Sequence, residues 1–212
     1  MPIAYRKQTE YYLIEFLLET ELEYLRKYIN EQIANLKKHE DNMTSLVHET
    51  IWVERTEPLP ILGVELLIHS SSFSYQSFYK SALIISYSFF ENLLKEVSII
   101  ARNLAKTELK PKGKPGILTY KDYLTKVIGL NFKELETLWE LIDDVRVVRN
   151  YFIHDYLESP DEEHLKEIIR VSNKNICLSF DKRNKELIIV DKQYLLTFCS
   201  LIEEFVQGLI KK

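Results

Sequence analysis

Glycine and proline are scarce in this sequence, with 5 Gly and 6 Pro among 212 residues. Chains that are disordered or built mainly from loops carry many more of both, so neither class fits. Cysteine is rarer still, because Cys177 and Cys199 are the only two and they form no recognisable pair motif. This usage is typical of a protein kept in a reducing compartment, and it predicts a cytoplasmic location.

Long uncharged apolar runs are also missing, as is an apolar segment behind basic residues at the N-terminus. We therefore expect neither a membrane span nor a signal peptide. Positive charge is not in excess, because the net charge is -4 at pH 7. That balance argues against broad binding of nucleic acid, although it leaves room for a local basic cleft.

Several enzyme signatures are absent as well. The sequence has no glycine-rich phosphate loop, no histidine–glutamate pair with the spacing of a zinc protease and no Cys/His cluster of a structural zinc site. No cofactor and no metal are therefore expected. His39, His48, His69 and His164 are scattered, and each is interpreted as a surface histidine or one satisfied inside the fold.

What the sequence does contain is apolar periodicity in its first half. Apolar residues recur every three or four positions over Lys7–Lys38 and again over Phe73–Leu104, which predicts two long amphipathic helices. The first is interpreted as a core helix rather than a coiled-coil arm, because its repeat is not a strict heptad. Between His39 and Ser72, Asp41-Asn42 and Pro58-Leu59-Pro60 predict a connecting segment with at most one short helix.

The second half of the sequence predicts shorter secondary-structure elements. Thr119–Gly129 predicts a short helix with Thr119 as its N-cap, and another helix is expected from Asn131 or Phe132 to Leu157. Ser159-Pro160-Asp161-Glu162 predicts a further helix start, with Ser159 as the cap and the helix ending near Ser172.

The C-terminus predicts a β-hairpin over about residues 176–190, followed by an amphipathic helix over about 192–210. With 46% hydrophobic residues the chain can bury one core, so residues 1–212 are expected to form a single domain. The predicted fold class is mainly α, a helical bundle with a small C-terminal β-hairpin.

The stretch Val145–Tyr156 is unusual because apolar residues cover nearly every side of the predicted helix while Arg146, Arg149, Asn150 and His154 lie within it. A helix that is apolar all round is normally buried on more than one side. Arginine is costly to desolvate without a partner. We therefore expect one face to pack in the domain and the other to meet a second protein surface.

The order Arg149, Asn150, three residues, His154, one residue, Tyr156 resembles the motif of the HEPN superfamily. It is similar in particular to HEPN toxins that are paired with nucleotidyltransferase antitoxins. The resemblance implies a HEPN-like helical bundle that acts as a homodimeric, metal-independent endoribonuclease on RNA, as a toxin or a phage-defence or stress effector. It also implies a composite active site, in which both subunits of the dimer contribute a motif helix and cleavage proceeds by attack of the 2′-hydroxyl. In that family the tyrosine corresponding to Tyr156 receives adenylyl groups from the antitoxin; the alternative is that Tyr156 is a packing contact.

The chemistry of these side chains suits RNA cleavage. Histidine titrates near neutrality, so His154 can move protons, and Arg149 can donate to phosphate oxygens. Asn150 lies on the same helix face as His154 and Arg146, where it can orient the histidine or donate to the phosphate. Glu91 is a supporting candidate that could pair with Arg146 or Arg149; the alternative is a solvated glutamate beside Lys95.

Two alternatives stay open at this point. Lys110, Lys112 and Lys114 are candidates for contact with an RNA backbone, but lysine-rich loops are often simply solvated. The whole chain could also be a catalytically silent helical dimer of HEPN type that binds a partner protein or a nucleotide.

Overall fold

The computed structural model describes residues 3–53, 61–108, 110–111, 113–114, 116–154 and 161–210, with side chains from residues 12–45 and from 70 onward. Six helices and one hairpin make up these parts. They are α1 (Ile3–Val53), α2 (Ile61–Leu104), α3 (Ile117–Lys126), a 3-10 turn (Lys133–Leu135), α4 (Glu136–His154), α5 (Glu162–Lys174), β1 (Leu178–Asp181), β2 (Glu186–Ile189) and α6 (Gln193–Ile210). The predicted class, mainly α with a C-terminal hairpin, is confirmed.

The two N-terminal helices pack antiparallel. The rings of Tyr28 and Phe78 lie 5.8 Å apart, and the hydroxyl of Tyr75 donates to Glu40 over 3.2 Å. The buried side chains of α1 fall at the spacing of one helix face: Ile14, Leu18, Leu22, Leu25 and Ile29. The predicted amphipathic helix is confirmed, but Leu13, Phe16 and Leu17, three of the apolar positions whose repeat predicted it, are exposed.

The predicted connecting segment at residues 39–72 is wrong over most of its length. Helix α1 continues to Val53 and α2 already begins at Ile61, so only residues 54–60, which contain Pro58 and Pro60, lie outside the described part. Asp41 and Asn42 are exposed on α1. Their low helix propensity costs only a fraction of a kcal/mol each, about 0.7 at most, which a long helix tolerates.

The core is centred on α6, which packs against α1, α2 and α4. The ring of Phe205 lies 5.8 Å from Phe90 of α2, 5.8 Å from Phe132 and 5.6 Å from Trp139 of α4. Arg26 of α1 donates to Glu203 of α6 over 2.6 Å at the edge of this contact. Helix α4 is therefore held on one side by α6 and α2.

The hairpin is fixed to α2 through one side chain. The side-chain N–H of Gln76 donates to the carbonyl of Ile189 over 2.8 Å, and its Oε1 accepts from the Ile189 N–H over 3.1 Å. The amide thus continues the hydrogen bonding of β2, whose Leu187 and Ile189 are buried. Helix α5 precedes the hairpin and packs on α4 and β1.

The ends of the short helices differ from the prediction at two caps. Thr119 does not cap α3, because the helix begins after Gly116 and the Thr119 hydroxyl donates to the carbonyl of Lys114 over 2.7 Å. The cap of α5 is Asp161 rather than Ser159, which lies outside the described residues. Gly129 ends the turn after α3 at φ +81, a conformation that glycine adopts without steric cost.

We expect the stability that Asp161 contributes to depend on pH. Its carboxylate accepts from the N–H groups of Glu163 (3.0 Å) and His164 (2.8 Å), and the hydrogen bond from His164 is the main reason that the pKa of Asp161 is lowered from 3.8. The contribution is fully present above that ordinary value and is lost as the pH falls through the lowered pKa. Asp161→Ala should therefore unfold at a lower temperature than the wild type at pH 7, with the difference narrowing in acid.

Asp161→Asn is the control, because asparagine caps helices as well as aspartate does but does not ionise. Thermal unfolding followed by circular dichroism compares the three proteins between pH 2 and pH 7. An Asp161→Ala variant as stable as the wild type at pH 7 would contradict a stabilising cap.

Candidate active site

The C-terminal half of α4 presents two faces. Val145 and Val148 are buried in the core. On the other side Arg146, Asn150 and His154 line a cavity of about 120 Å³ between α4 and α5. The predicted common face of these three residues is thus present and borders a cleft, in which Arg146 and Asn150 are half-buried and His154 is exposed.

Helix α5 contributes a second histidine to this cleft. His164 lines the cavity, and Glu167 lines it one turn further along. Asp161 holds His164 from two directions: one carboxylate oxygen accepts the backbone N–H, and the other lies 3.3 Å from Nδ1 of the ring. His164 is a surface histidine, as predicted, with 62% of its side chain exposed, and its ring also borders the cleft. The cleft therefore carries two imidazoles from one chain.

The guanidinium group of Arg146 is held in place by Asp143 at the edge of the cleft. Its Nε donates to Oδ1 of Asp143 over 2.6 Å, and its Nη2 donates to Oδ2 over 3.3 Å. The hydrogen bond to Asp143 raises the pKa of Arg146 above its already high ordinary value. Among the described residues nothing engages Nη1, so this nitrogen is a donor that a ligand in the cleft could use.

Arg149 lies on a different side of the helix and does not line the cavity. Its guanidinium carbon stands 5.1 Å from the centre of the Tyr87 ring of α2. Burial raises the pKa of Tyr87, and the positive charge of Arg149 opposes that rise. Arg149 was predicted to donate to phosphate oxygens, but its position in this structure does not bring it into the cleft with Arg146, Asn150 and His154.

Arg149 is nevertheless connected to the cleft through Asn150. Its Nη1 donates to Oδ1 of Asn150 over 3.0 Å. Because arginine has no acceptor, the atom of Asn150 that faces it must be the oxygen. The amide nitrogen of Asn150 is therefore the group that this side chain can offer to a ligand in the cavity.

The predicted pairing of Glu91 with Arg146 or Arg149 is wrong for the described part of the chain. Arg146 pairs with Asp143, and Arg149 donates to Asn150. Glu91 is half-buried nearby, where its charge adds to the raised pKa of Tyr87. Arg149 does face α2 beside Tyr87, but its side-chain hydrogen bond goes to Asn150 rather than to Glu91.

The second apolar face of α4 is covered within the chain. Tyr151 is buried, donates its hydroxyl to the carbonyl of Lys185 in the hairpin turn, and meets the Phe180 ring edge-on at 6.2 Å. Val147 is buried as well and borders Ile168 of α5. The two-sided apolar pattern is thus explained by α5 and the hairpin, and it no longer indicates a second protein surface.

The remaining predicted residues lie elsewhere. Tyr156 and Lys112 are outside the described residues. Lys110 lines a separate cavity of about 290 Å³ beside α2 and α3, and Lys114 is exposed. Neither described lysine lines the cleft between α4 and α5.

The residues that sequence reasoning missed, Asp161, His164 and Glu167, all lie at the start of α5. A usable signal was present, because a short connection between two helices makes them antiparallel neighbours. The end of α4 and the start of α5 then come together, and with them His154 and His164. Periodicity within a single helix does not reveal this pairing.

No three His, Cys, Asp or Glu side chains of the described ranges are grouped as metal ligands would be. None of the described helices combines the length and apolarity that crossing a membrane requires. Comparison of the chain with protein-family models, curated proteins and solved structures found no match. The cleft and the motif in α4 are therefore the features that bear on function.

Proposed function

We propose that this chain is a metal-independent endoribonuclease of HEPN type and that the cleft between α4 and α5 is its active site. One observation carries the proposal: His154, His164, Arg146 and Asn150, from two helices of one chain, line the same cavity. Cleavage by an internal nucleophile needs two imidazoles for proton transfer and, beside them, hydrogen-bond donors that hold the phosphate oxygens.

The reaction requires two proton transfers around one phosphate. One histidine takes the proton of the 2′-hydroxyl, and the 2′-oxygen attacks the adjacent phosphorus. The bond from phosphorus to the 5′-oxygen breaks, and the second histidine gives this leaving oxygen a proton. The products are a 2′,3′-cyclic phosphate and a 5′-hydroxyl end, so atoms and charge balance without a further reactant.

The charged and amide groups have separate roles. Nη1 of Arg146 and the amide nitrogen of Asn150 are the donors for the phosphate oxygens, whose negative charge grows in the transition state. Arg149 acts through Asn150 as a positioning residue, because its hydrogen bond fixes which end of the amide is free. Asp161 is likewise a positioning residue, because its carboxylate lies beside Nδ1 and orients the ring of His164.

The biological setting in the proposal comes from the HEPN resemblance. In this setting the protein is a cytoplasmic toxin or a phage-defence or stress effector, and it acts as a homodimer. A nucleotidyltransferase-like antitoxin regulates it by modifying Tyr156. A homodimer would place two such clefts in one particle. Both histidines of each cleft come from one chain, so chemistry in this cleft does not depend on sharing residues across the dimer.

The proposal is tested by incubating the purified protein with total RNA in the presence of EDTA. We expect fragments that end in 2′,3′-cyclic phosphate and begin with a 5′-hydroxyl. Denaturing gels record the fragments, and labelling by a polynucleotide kinase without prior phosphatase treatment identifies the 5′-hydroxyl. Cleavage that appears only with added divalent metal, or fragments with 5′-phosphate ends, would contradict the mechanism.

A second candidate is the catalytically silent dimer that binds a partner protein or a nucleotide. The observation that favours it is the charge of the cleft, because Asp143 neutralises much of Arg146 and Glu167 adds a negative charge to the lining. A cleft of this kind repels the phosphate backbone more than one with a free arginine. Intact RNA after prolonged incubation, with the protein folded, would select this candidate.

A further inference from the structure

A second cavity, distinct from the cleft, lies between the C-terminal half of α2 and the beginning of α3. Its volume is about 290 Å³, near the lower end of the range for small-molecule pockets, about 300–1,000 Å³. The side chains that matter for its chemistry are Lys95, Ile99, Arg102, Lys110, Pro111 and Tyr120. None of its lining residues borders the cleft between α4 and α5.

The cavity concentrates positive charge. Lys95 and Arg102 reach it from α2, and Lys110 reaches it from the segment between α2 and α3. No aspartate or glutamate is among its described lining residues, and none of the three cations forms an ion pair with a described residue. Arg102 is half-buried and Lys95 and Lys110 are exposed, so all three cations are available to an anion in the cavity. Glu91 and Glu96 act electrostatically on Tyr120 in the wall, but neither carboxylate lines the cavity.

The N-terminus of α3 adds to the positive electrostatic potential of the cavity. Helix α3 begins after Gly116, which has no side chain to accept from the first N–H groups of the helix. Thr119 and Tyr120 of this first turn line the cavity. The positive end of the helix dipole therefore lies on the same side as the three cations, an arrangement that favours a phosphate group.

The rest of the wall is apolar. Ile99 and Pro111 line the cavity, and Tyr120 is only 8% exposed, with burial raising the pKa of its hydroxyl. A bare inorganic anion would leave these surfaces without a contact. A ligand that carries an apolar or planar group next to its phosphate would cover them.

We propose that this cavity binds a phosphomonoester, with the phosphate held by Lys95, Arg102 and Lys110 and an attached apolar or planar group packed on Ile99, Pro111 and Tyr120. A free nucleoside monophosphate and the phosphorylated end of a short RNA share this chemistry. The inference stands apart from the nuclease proposal, because binding here requires no residue of the cleft.

Isothermal titration calorimetry at low salt tests the inference with four probes: AMP, adenosine, inorganic phosphate and ribose 5-phosphate. AMP is expected to bind most tightly, the two other phosphates more weakly, and adenosine not at all. The affinity for AMP should fall as salt is raised. Equal affinity for AMP and adenosine, or no binding of any phosphate, would overturn the proposal.

Variants locate the binding site. Arg102→Gln and Lys95→Gln should each weaken AMP binding by about 10-fold or more, since each removes one charge-assisted hydrogen bond. Lys126→Gln is the matched control, because Lys126 is an exposed cation of α3 that pairs with Asp122 and does not line the cavity. Unchanged AMP affinity in both folded variants would overturn the assignment, as would its loss in His154→Ala alone.

A last comparison separates the two sources of phosphate. A short oligoribonucleotide with a 5′-phosphate is titrated beside the same oligoribonucleotide with a 5′-hydroxyl, using His154→Ala protein so that the RNA stays intact. Tighter binding of the phosphorylated form, abolished in Arg102→Gln, would assign the cavity to RNA ends. Binding of AMP without any such difference would assign it to a free phosphomonoester, and both results support the site.

Discussion

His154→Ala and His164→Ala are each expected to slow RNA cleavage by about 10²–10⁴-fold, the usual loss when a proton-transfer group is removed. Both imidazoles line the cleft between α4 and α5, and each is assigned one of the two proton transfers. Initial rates on a fluorescent oligoribonucleotide in EDTA provide the measurement. His39→Ala is the control, because His39 is exposed on α1 and does not line the cleft.

The pH dependence distinguishes proton transfer from a structural role. Two histidines that act in opposite protonation states give the wild type a bell-shaped profile, and each single variant should lose one limb of it. The described charged groups that face the rings are Arg146 from α4 and Asp161 and Glu167 from α5. A His164→Ala protein that keeps both the wild-type rate and the wild-type profile would remove His164 from the mechanism.

Mixing the two variants tests whether one chain completes the site. If both histidines act within one chain, an equimolar mixture stays inactive even when subunits exchange. Light scattering, expected to give twice the chain mass of 25.2 kDa, verifies that a dimer is present. Recovered activity in the mixture would instead show a site shared between two subunits.

The helices were predictable from sequence because apolar residues repeat along them, but the buried face of α1 was predicted only in part. Leu25 and Ile29 are buried as the repeat predicted, whereas Leu13, Phe16 and Leu17 are exposed and Ile14, Leu18 and Leu22 are buried instead. The extent of α1 and α2 was not predictable in the same way. Asp41 and Asn42 look like a break, yet the helix continues through them, since weak propensities do not end a helix.

The site was predictable only as far as one helix determines it. The spacing placed Arg146, Asn150 and His154 on one face, and these three do line one cavity. The position of Arg149 depends on Tyr87 of α2, which is far away in sequence. The second histidine depends on how α5 folds back on α4, a tertiary contact that periodicity does not report.

Phe205→Ala is expected to lower the free energy of unfolding by about 3–5 kcal/mol, the usual cost of truncating a buried phenylalanine. Phe205 is fully buried, and its ring lies within 6 Å of Phe90, Phe132 and Trp139. These neighbours come from α2, from the segment before α4 and from α4 itself. The cavity left by the ring would therefore lie where α6 holds the helix that carries His154.

Urea denaturation followed by circular dichroism measures the loss, and Phe73→Ala is the matched control. Phe73 is on α2 with 69% of its surface exposed, so its truncation should change the free energy of unfolding by no more than about 0.5 kcal/mol. Equal unfolding midpoints for the two variants would show that the aromatic contacts around Phe205 do not support the core. A large loss for Phe205 alone would show that α6 stabilises the position of α4, so that stability and the geometry of the cleft depend on the same contact.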